Sequence, residues 1–193
     1  MNQMKRYSLV CYLEGEHKDN VRVLQDKLFE LTGSRKCLDA WTPHLTIGSG
    51  ILVAPKKQAE LDKFFENFAG TQDPFKVSLA DFGGTENFKG AEGITPYVLW
   101  VNVIVNRELQ MLFDNIAKTI TSKYETFYPR ITKYTPHVTV AYGDLNFEGY
   151  KKGMEYLSKL KFTDTIKISH VALVENFPDK DIEYKRFYFK LPK

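Results

Sequence analysis

The chain has 193 residues, 43% of them hydrophobic, which suits one compact domain with a sizeable core and excludes a disordered chain. Its net charge of +3 excludes a strongly basic, non-specific nucleic-acid binder but is compatible with an anionic substrate. The apolar run after Lys5 and Arg6 stops at Glu14, which is too short for a signal peptide or a membrane span. We therefore expect a soluble, cytoplasmic protein without a membrane partner.

The first half of the chain predicts alternating strands and helices. Residues 7–13 form a strand-like run, and a helical stripe follows it, made of Val21, Leu24, Leu28 and Leu31. A motif strand comes next, then a helix over residues 55–68 and a strand over residues 75–82. Asn20 is a candidate helix cap, and Gly33 and Gly70 suit helix ends.

The second half repeats this order. Residues 98–105 predict a strand, and Leu109, Leu112, Phe113, Ile116 and Ile120 form the next helical stripe. A second motif strand, a helix over residues 147–160 and strands over residues 166–174 and 184–191 complete the chain. Asn106 and Asn146 are candidate caps of the two helices in this half.

Two near-identical hexapeptides mark corresponding places in the two halves. Residues 42–47 read TPHLTI and residues 135–140 read TPHVTV, so the second histidine follows the first by 93 positions (137 minus 44). In a strand, alternate side chains share a face, so His44 lies beside Thr46 and His137 beside Thr139. Two imidazoles can serve as acid and base on a phosphodiester, and two hydroxyls can hold its oxygens.

One His-x-Thr alone carries little weight, because short motifs match often by accident and most such histidines only form hydrogen bonds. The duplication makes catalysis the better interpretation, since two of the four histidines of the chain share one six-residue context. His170 is a useful contrast, because Ala172 occupies the place of the threonine. We therefore interpret His170 as structural.

The repeat predicts an α+β fold of one domain over residues 1–193. We expect a bilobal, pseudo-twofold duplicated fold whose lobes cover about residues 1–92 and 93–193, with antiparallel sheets lining a central cleft and helices on the outer faces. The two motif strands would then face each other across the cleft.

Other side chains near the motifs are candidates for substrate binding. Arg130 and Lys133 precede the second motif and can reach a phosphate, although a solvated loop charge is an equally good interpretation. The rings of Trp41, Tyr142 and Tyr184 flank the motifs or the last strand and are candidate base-stacking surfaces. No metal site is predicted, because each motif supplies one good ligand and Cys11 and Cys37 form no ligand framework.

The paired motifs resemble those of the two-histidine (2H) phosphoesterase superfamily, which includes the 2'-5' RNA ligase family and cyclic nucleotide phosphodiesterases. The resemblance extends over essentially the whole chain, since residues 98–103 look like the central strand of that family and residues 184–191 like its closing strand. It implies that His44 and His137 are the catalytic pair and that Thr46 and Thr139 bind phosphate. Bacterial 2'-5' RNA ligases often have an arginine shortly after the second motif, where this chain reads AYG at residues 141–143.

These observations together predict a 2H-type, metal-independent and cofactor-free phosphodiesterase. The expected substrates are nucleotides or RNA with 2'-linked or 2',3'-cyclic phosphodiesters, and RNA ligation remains possible. We expect a monomer. The alternative is a nucleotide-binding sensor or scaffold with the same fold, which would not require two proton-transfer groups.

Overall fold

The computed structural model describes residues 4–88, 94–126, 135–177 and 180–190. Its strands are β1 (Lys5–Tyr12), β2 (His44–Val53), β3 (Phe75–Thr85), β4 (Val98–Ile104), β5 (Glu125–Thr126), β6 (His137–Tyr142), β7 (Thr163–Ile168), β8 (His170–Asn176) and β9 (Asp181–Tyr188). Its helices are α1 (Gly15–Thr32), α2 (Lys36–Ala40), α3 (Gln58–Ala69), α4 (Arg107–Lys123) and α5 (Phe147–Ser158), with a 3-10 turn at Pro55–Lys57 before α3.

Local sequence signals set several of the helix ends. The side chains of Asn106 and Asn146 accept hydrogen bonds from the first turns of α4 and α5, which confirms both predicted caps. Helix α1 ends at Gly33, whose φ of 75° is the left-handed conformation that glycine adopts without steric cost. The predicted cap at Asn20 is wrong, because α1 begins five residues earlier, at Gly15.

The strands form one antiparallel sheet in the order β7-β3-β4-β6-β2-β1-β8-β9, with β5 paired to β2. The two motif strands, β2 and β6, do not face each other across the cleft as expected but are neighbours at the centre of the sheet, where they pair at Leu45 and Val138. Counted outward from this central pair, β1 beside β2 occupies the place that β4 occupies beside β6. In the next position, β8 likewise matches β3. Each half of the sheet thus contains strands of both sequence repeats, so the repeat boundary near residue 92 is not a spatial division of the sheet.

Helices cover the outer faces of this sheet, as the sequence predicts. Helices α1 and α5 pack together over β4 and β6, while α4 packs on β2 and α3 on β9. The apolar motif residues Leu45, Ile47, Val138 and Val140 point toward these helices and are at most 2% exposed. The expected α+β fold, antiparallel and duplicated around a central cleft, is therefore confirmed. None of the helices in the described ranges has the length and apolarity needed to span a bilayer.

The strand predicted over residues 166–174 is two strands. It divides at Ser169, and β7 pairs with β3 while β8 pairs with β1. In a flat sheet these two strands would lie six spacings apart, about 29 Å. A single linking residue cannot cover that distance, so the sheet must curl strongly, and this curl produces the concave face that carries the motif side chains.

Candidate active site

The pairing of the two motif strands brings the four predicted catalytic side chains together. Because Leu45 pairs with Val138 in antiparallel register, Thr139 lies beside His44 on one side of this pair. Thr46 lies beside His137 on the other side. Directly opposed residues of this kind have Cβ atoms about 5 Å apart. Two imidazoles and two hydroxyls therefore share one patch of the cleft floor, and all four side chains are half-buried.

Each imidazole is oriented by the backbone of its own motif. His44 Nδ1 lies 2.8 Å from the carbonyl oxygen of Thr42, and His137 Nδ1 lies 2.9 Å from the carbonyl oxygen of Thr135. A carbonyl oxygen can only accept, so Nδ1 must carry hydrogen in both rings. The Nε2 atoms are then left to accept a proton or, once protonated, to donate one.

Burial affects both histidines in the same direction. Desolvation lowers the pKa of His44 and of His137 below the ordinary histidine value, while the hydrogen bonds to the Thr42 and Thr135 carbonyls act in the opposite direction. The charge on His137 also lowers the pKa of His44, and Asp181 raises it. Neutral imidazoles suited to accepting a proton are thus favoured near neutral pH.

The imidazole of His137 lies against the indole of Trp100 in β4. Their ring centroids are 5.0 Å apart with planes inclined by 36°, and the Trp100 Nε1–H donates to Asn102 Oδ1 at 2.9 Å. Gly83 in β3 pairs with Trp100, and a Cβ there would lie 2.5 Å from the indole nitrogen. Because Gly83 has no side chain, the indole of Trp100 can occupy the space above it.

The imidazole of His44 has a different aromatic neighbour. Tyr12 pairs with His44 across β1 and β2, and the two rings meet edge to face with centroids 6.3 Å apart. Burial raises the pKa of Tyr12 to about 12, so its hydroxyl stays protonated in the physiological range. The guanidinium of Arg186 lies over the Tyr12 ring at 5.1 Å.

Sequence reasoning did not assign Tyr12 or Trp100 to the site. Side chains in β1 and β4 alternate between the two faces of the sheet, and Tyr12 and Trp100 lie on the same face as the motif histidines. Only the strand register, which the sequence does not show, places these residues next to the motif histidines.

Matching β-bulges follow the two motif threonines. In β2, Thr46 pairs with Val10 and Gly48 with Leu9, while in β6, Thr139 pairs with Trp100 and Ala141 with Leu99. Each motif strand thus contains one extra residue at this point, which changes the alternation of side chains beyond it. The carbonyl of Thr139 accepts a hydrogen bond from the buried side chain of Gln25 in α1.

The bulge turns Tyr142 toward the cleft. Tyr142 pairs with Val98, which shares a face with Trp100, whereas Ala141 is only 1% exposed. The ring of Tyr142 lies 5.8 Å from that of Trp41 and 5.1 Å from that of Phe88. Two predicted substrate-binding residues, Trp41 and Tyr142, therefore meet at one end of the cleft, and Phe88 is an addition that the sequence did not indicate.

The remaining predicted substrate-binding residues are not part of this constellation. A bulge in β9 turns Tyr184 to the helix-covered side, where its hydroxyl donates to Asp62 of α3 and its ring packs on Tyr7. The expected stacking role of Tyr184 beside the motifs is therefore not supported by its position. Arg130 and Lys133 lie outside the described residues.

Within the described ranges, no group of three or more His, Cys, Asp or Glu side chains is placed to hold a metal ion. His170, which the sequence predicts to be structural, is 2% exposed, and its Nε2 accepts a hydrogen bond from the backbone N–H of Tyr12 at 3.2 Å.

Comparison with solved structures gives the fold independently. LigT of E. coli in complex with 3'-AMP has a TM-score of 0.68 at 15% identity, covering 98% of this chain and 100% of the other. LigT in complex with NADP+ has a TM-score of 0.69 at 16% identity with the same coverage. TT0787 of Thermus thermophilus has a TM-score of 0.70 at 15% identity, covering 95% and 97% of the two chains.

A family model described as the 2'-5' RNA ligase superfamily matches residues 49–177. No curated protein sequence matches the chain. Since the family match covers more than half of the chain, the protein belongs to the 2'-5' RNA ligase superfamily, and the predicted 2H phosphoesterase relationship is confirmed.

Proposed function

We propose that this member of the 2'-5' RNA ligase superfamily is a metal-independent phosphodiesterase that hydrolyses 2'-linked or 2',3'-cyclic phosphodiesters of nucleotides or RNA. One observation carries the proposal: both motif imidazoles are fixed through Nδ1 by the carbonyl two residues earlier, at 2.8 and 2.9 Å. The same anchor in both copies leaves two Nε2 atoms for proton transfer on opposite sides of one substrate.

The reaction then needs only the motif side chains. One neutral imidazole removes a proton from the attacking water or ribose hydroxyl as the oxygen of that group forms a bond to phosphorus. The other imidazole, protonated, donates its proton to the ribose oxygen as the phosphorus–oxygen bond breaks. The hydroxyls of Thr46 and Thr139 donate hydrogen bonds to the non-bridging oxygens, where negative charge increases in the transition state.

The substrate class follows from this chemistry and from the cleft. Acid and base catalysis alone is best suited to a phosphodiester that is already strained in a ring or lies next to a ribose hydroxyl. The rings of Trp41 and Tyr142, 5.8 Å apart at one end of the cleft, offer a surface for a nucleobase. The complexes of E. coli LigT with 3'-AMP, NADP+ and ATP support a nucleotide as the ligand of this fold.

A substrate panel tests the proposal. The enzyme, dialysed against a strong chelator, is incubated with 2',3'-cyclic mononucleotides, 2'-5' oligoadenylate, 3'-5' RNA, cyclic dinucleotides and DNA. We expect cleavage of a 2'-linked or 2',3'-cyclic phosphate, with a 2'-phosphate product from the cyclic compound, and no cleavage of DNA. Tight nucleotide binding without turnover would instead indicate a sensor, and loss of activity that only a divalent cation restores would contradict the metal-independent reaction.

A further inference from the structure

We propose that Lys36, together with Trp41 and Tyr142, forms a second phosphate-binding subsite at one end of the cleft. Preferred substrates then carry a phosphate group beyond the one that is cleaved, either at a 5' terminus or in the next internucleotide linkage. This inference rests on the proposed function and names the substrate class of the same site.

The ammonium group of Lys36 lies over the aromatic end of the cleft. Its Nζ is 5.7 Å from the centre of the Trp41 ring, which in turn lies 5.8 Å from the ring of Tyr142. In the described part of the chain, no carboxylate lies within ion-pair distance of Lys36. Other lysines of the described residues also lack an ion pair, so the position of Lys36 over Trp41 is what makes it a candidate phosphate ligand.

The side chain of Lys36 passes over the glycine that follows β6. Gly143, directly after β6, has a φ of +93°, and a Cβ there would lie 2.7 Å from the Cδ of Lys36. Only a residue without a side chain allows both this backbone conformation and this approach. The aliphatic part of Lys36 thus lies over Gly143, and the charged end continues to the ring of Trp41.

The backbone around Lys36 is tied to both motif strands. The carboxylate of Asp144 accepts hydrogen bonds from the backbone N–H groups of Arg35 and Lys36 at 2.8 and 3.0 Å and from the hydroxyl of Ser34 at 2.6 Å. The guanidinium of Arg22 donates to the carbonyl oxygens of Cys37, Leu38 and Trp41. Helix α2 therefore keeps a fixed position relative to the end of β6 and the start of β2.

The spacing to the catalytic group suits one nucleoside. Thr139 and Tyr142 pair with Trp100 and Val98, which are two residues apart in β4, or about 7 Å along a strand. One nucleoside, bound with its scissile phosphate at the threonines and its base on the aromatic rings, would extend its far phosphate toward Lys36. An ammonium is a point charge that binds phosphate from many directions, so a terminal and an internucleotide phosphate are both suitable ligands.

Kinetics on matched substrates test the subsite. The substrates are adenosine 2',3'-cyclic phosphate, its 5'-phosphorylated form and the dinucleotide ApA ending in a 2',3'-cyclic phosphate. We expect the wild-type protein to prefer at least one phosphate-bearing substrate by about tenfold in kcat/KM, mainly through KM. A preference for the 5'-phosphorylated substrate indicates a terminal phosphate, and a preference for the dinucleotide indicates an internucleotide phosphate.

In Lys36→Met, the ratio of kcat/KM for the phosphate-bearing substrate to kcat/KM for adenosine 2',3'-cyclic phosphate should fall to about one. Lys36→Arg should retain the wild-type ratio. The matched control is Lys151→Met, which removes another lysine that lies over an aromatic ring, at 4.5 Å from Phe147, but pairs with Glu148 on α5. A preference that survives Lys36→Met, or no preference in the wild-type protein, overturns the subsite.

A binding measurement separates this outcome from failure of the proposed function. If no panel member is cleaved, the affinities of adenosine 3',5'-bisphosphate and 3'-AMP are compared by calorimetry. About tenfold tighter binding of the bisphosphate, lost in Lys36→Met, supports the subsite without any turnover. Equal binding of both nucleotides overturns it.

Discussion

The indole of Trp100 lies against the imidazole of His137, with ring centroids 5.0 Å apart. His44 instead meets Tyr12 edge to face at 6.3 Å. The two histidines therefore share the same backbone anchor but differ in the aromatic ring that limits their movement. Because Trp100 is itself held by Asn102 and by the space above Gly83, the orientation of His137 depends on three residues that lie outside the two motifs.

Gly83→Ala should lower kcat by about tenfold, with a smaller effect on KM. The added Cβ would lie 2.5 Å from the indole nitrogen of Trp100, so the indole must shift and its packing against His137 must change. Steady-state kinetics measure the loss, and the intrinsic fluorescence of a Trp41→Phe background reports the displacement of Trp100.

Gly48→Ala is the control for adding a methyl group to a strand glycine, because a Cβ at Gly48 meets no atom within 4 Å. Its melting temperature should equal that of the wild-type protein. A Gly83→Ala variant with altered Trp100 fluorescence but wild-type kcat would show that Trp100 does not position His137.

His44→Ala and His137→Ala should each reduce turnover about a hundredfold or more while the melting temperature changes little. Each variant removes one of the two proton-transfer groups, and both side chains are only half-buried. The control is His17→Ala, since His17 pairs with Asp164 between α1 and β7 and is not a motif residue. Near-normal activity in either motif variant would contradict acid and base catalysis.

The dependence of kcat/KM on pH should be bell-shaped, with its maximum on the acid side of about 6.5. One imidazole must be neutral and the other protonated, and burial lowers the pKa of both His44 and His137 in the free enzyme. Above the maximum the general acid loses its proton, and below it the general base gains one. Initial rates at low substrate concentration between pH 4.5 and 9 measure the profile, and a flat profile contradicts the mechanism.

Much of the fold and the centre of the site could be predicted, because the repeat fixes the motifs in equivalent strands. Period-two alternation placed His44 with Thr46 and His137 with Thr139, and the central pair of Leu45 and Val138 then brings them together. The duplication predicts that the two motifs meet, whereas this pairing is a long-range contact that only the structure shows.

The features that the sequence did not reveal depend on register and bulges. A bulge turns Tyr142 toward the cleft, and another turns Tyr184 to the side of α3. One extra residue in a strand reverses the face of each side chain that follows it, and neither bulge is marked by its amino-acid composition. The sequence does not reveal the division at Ser169, because residues 166–174 contain no Gly or Pro that would mark a break in the strand.

The free energy of unfolding should decrease as the pH falls below about 6.5, and His170 should account for part of this decrease. Burial, followed by the positive charge of Arg186, lowers the pKa of His170 in the folded protein. The unfolded chain, with an ordinary histidine pKa, then binds more protons in this range, so acid favours unfolding, and the stability is fully present only above about pH 6.5. Protonation would also remove the acceptor that Nε2 offers to the backbone N–H of Tyr12.

Urea unfolding at pH 7.5 and 5.5 measures the effect of pH on the free energy of unfolding. This effect should shrink in His170→Gln and persist in full in the surface variant Lys151→Met. An unchanged pH dependence in His170→Gln would show that His170 contributes nothing to it.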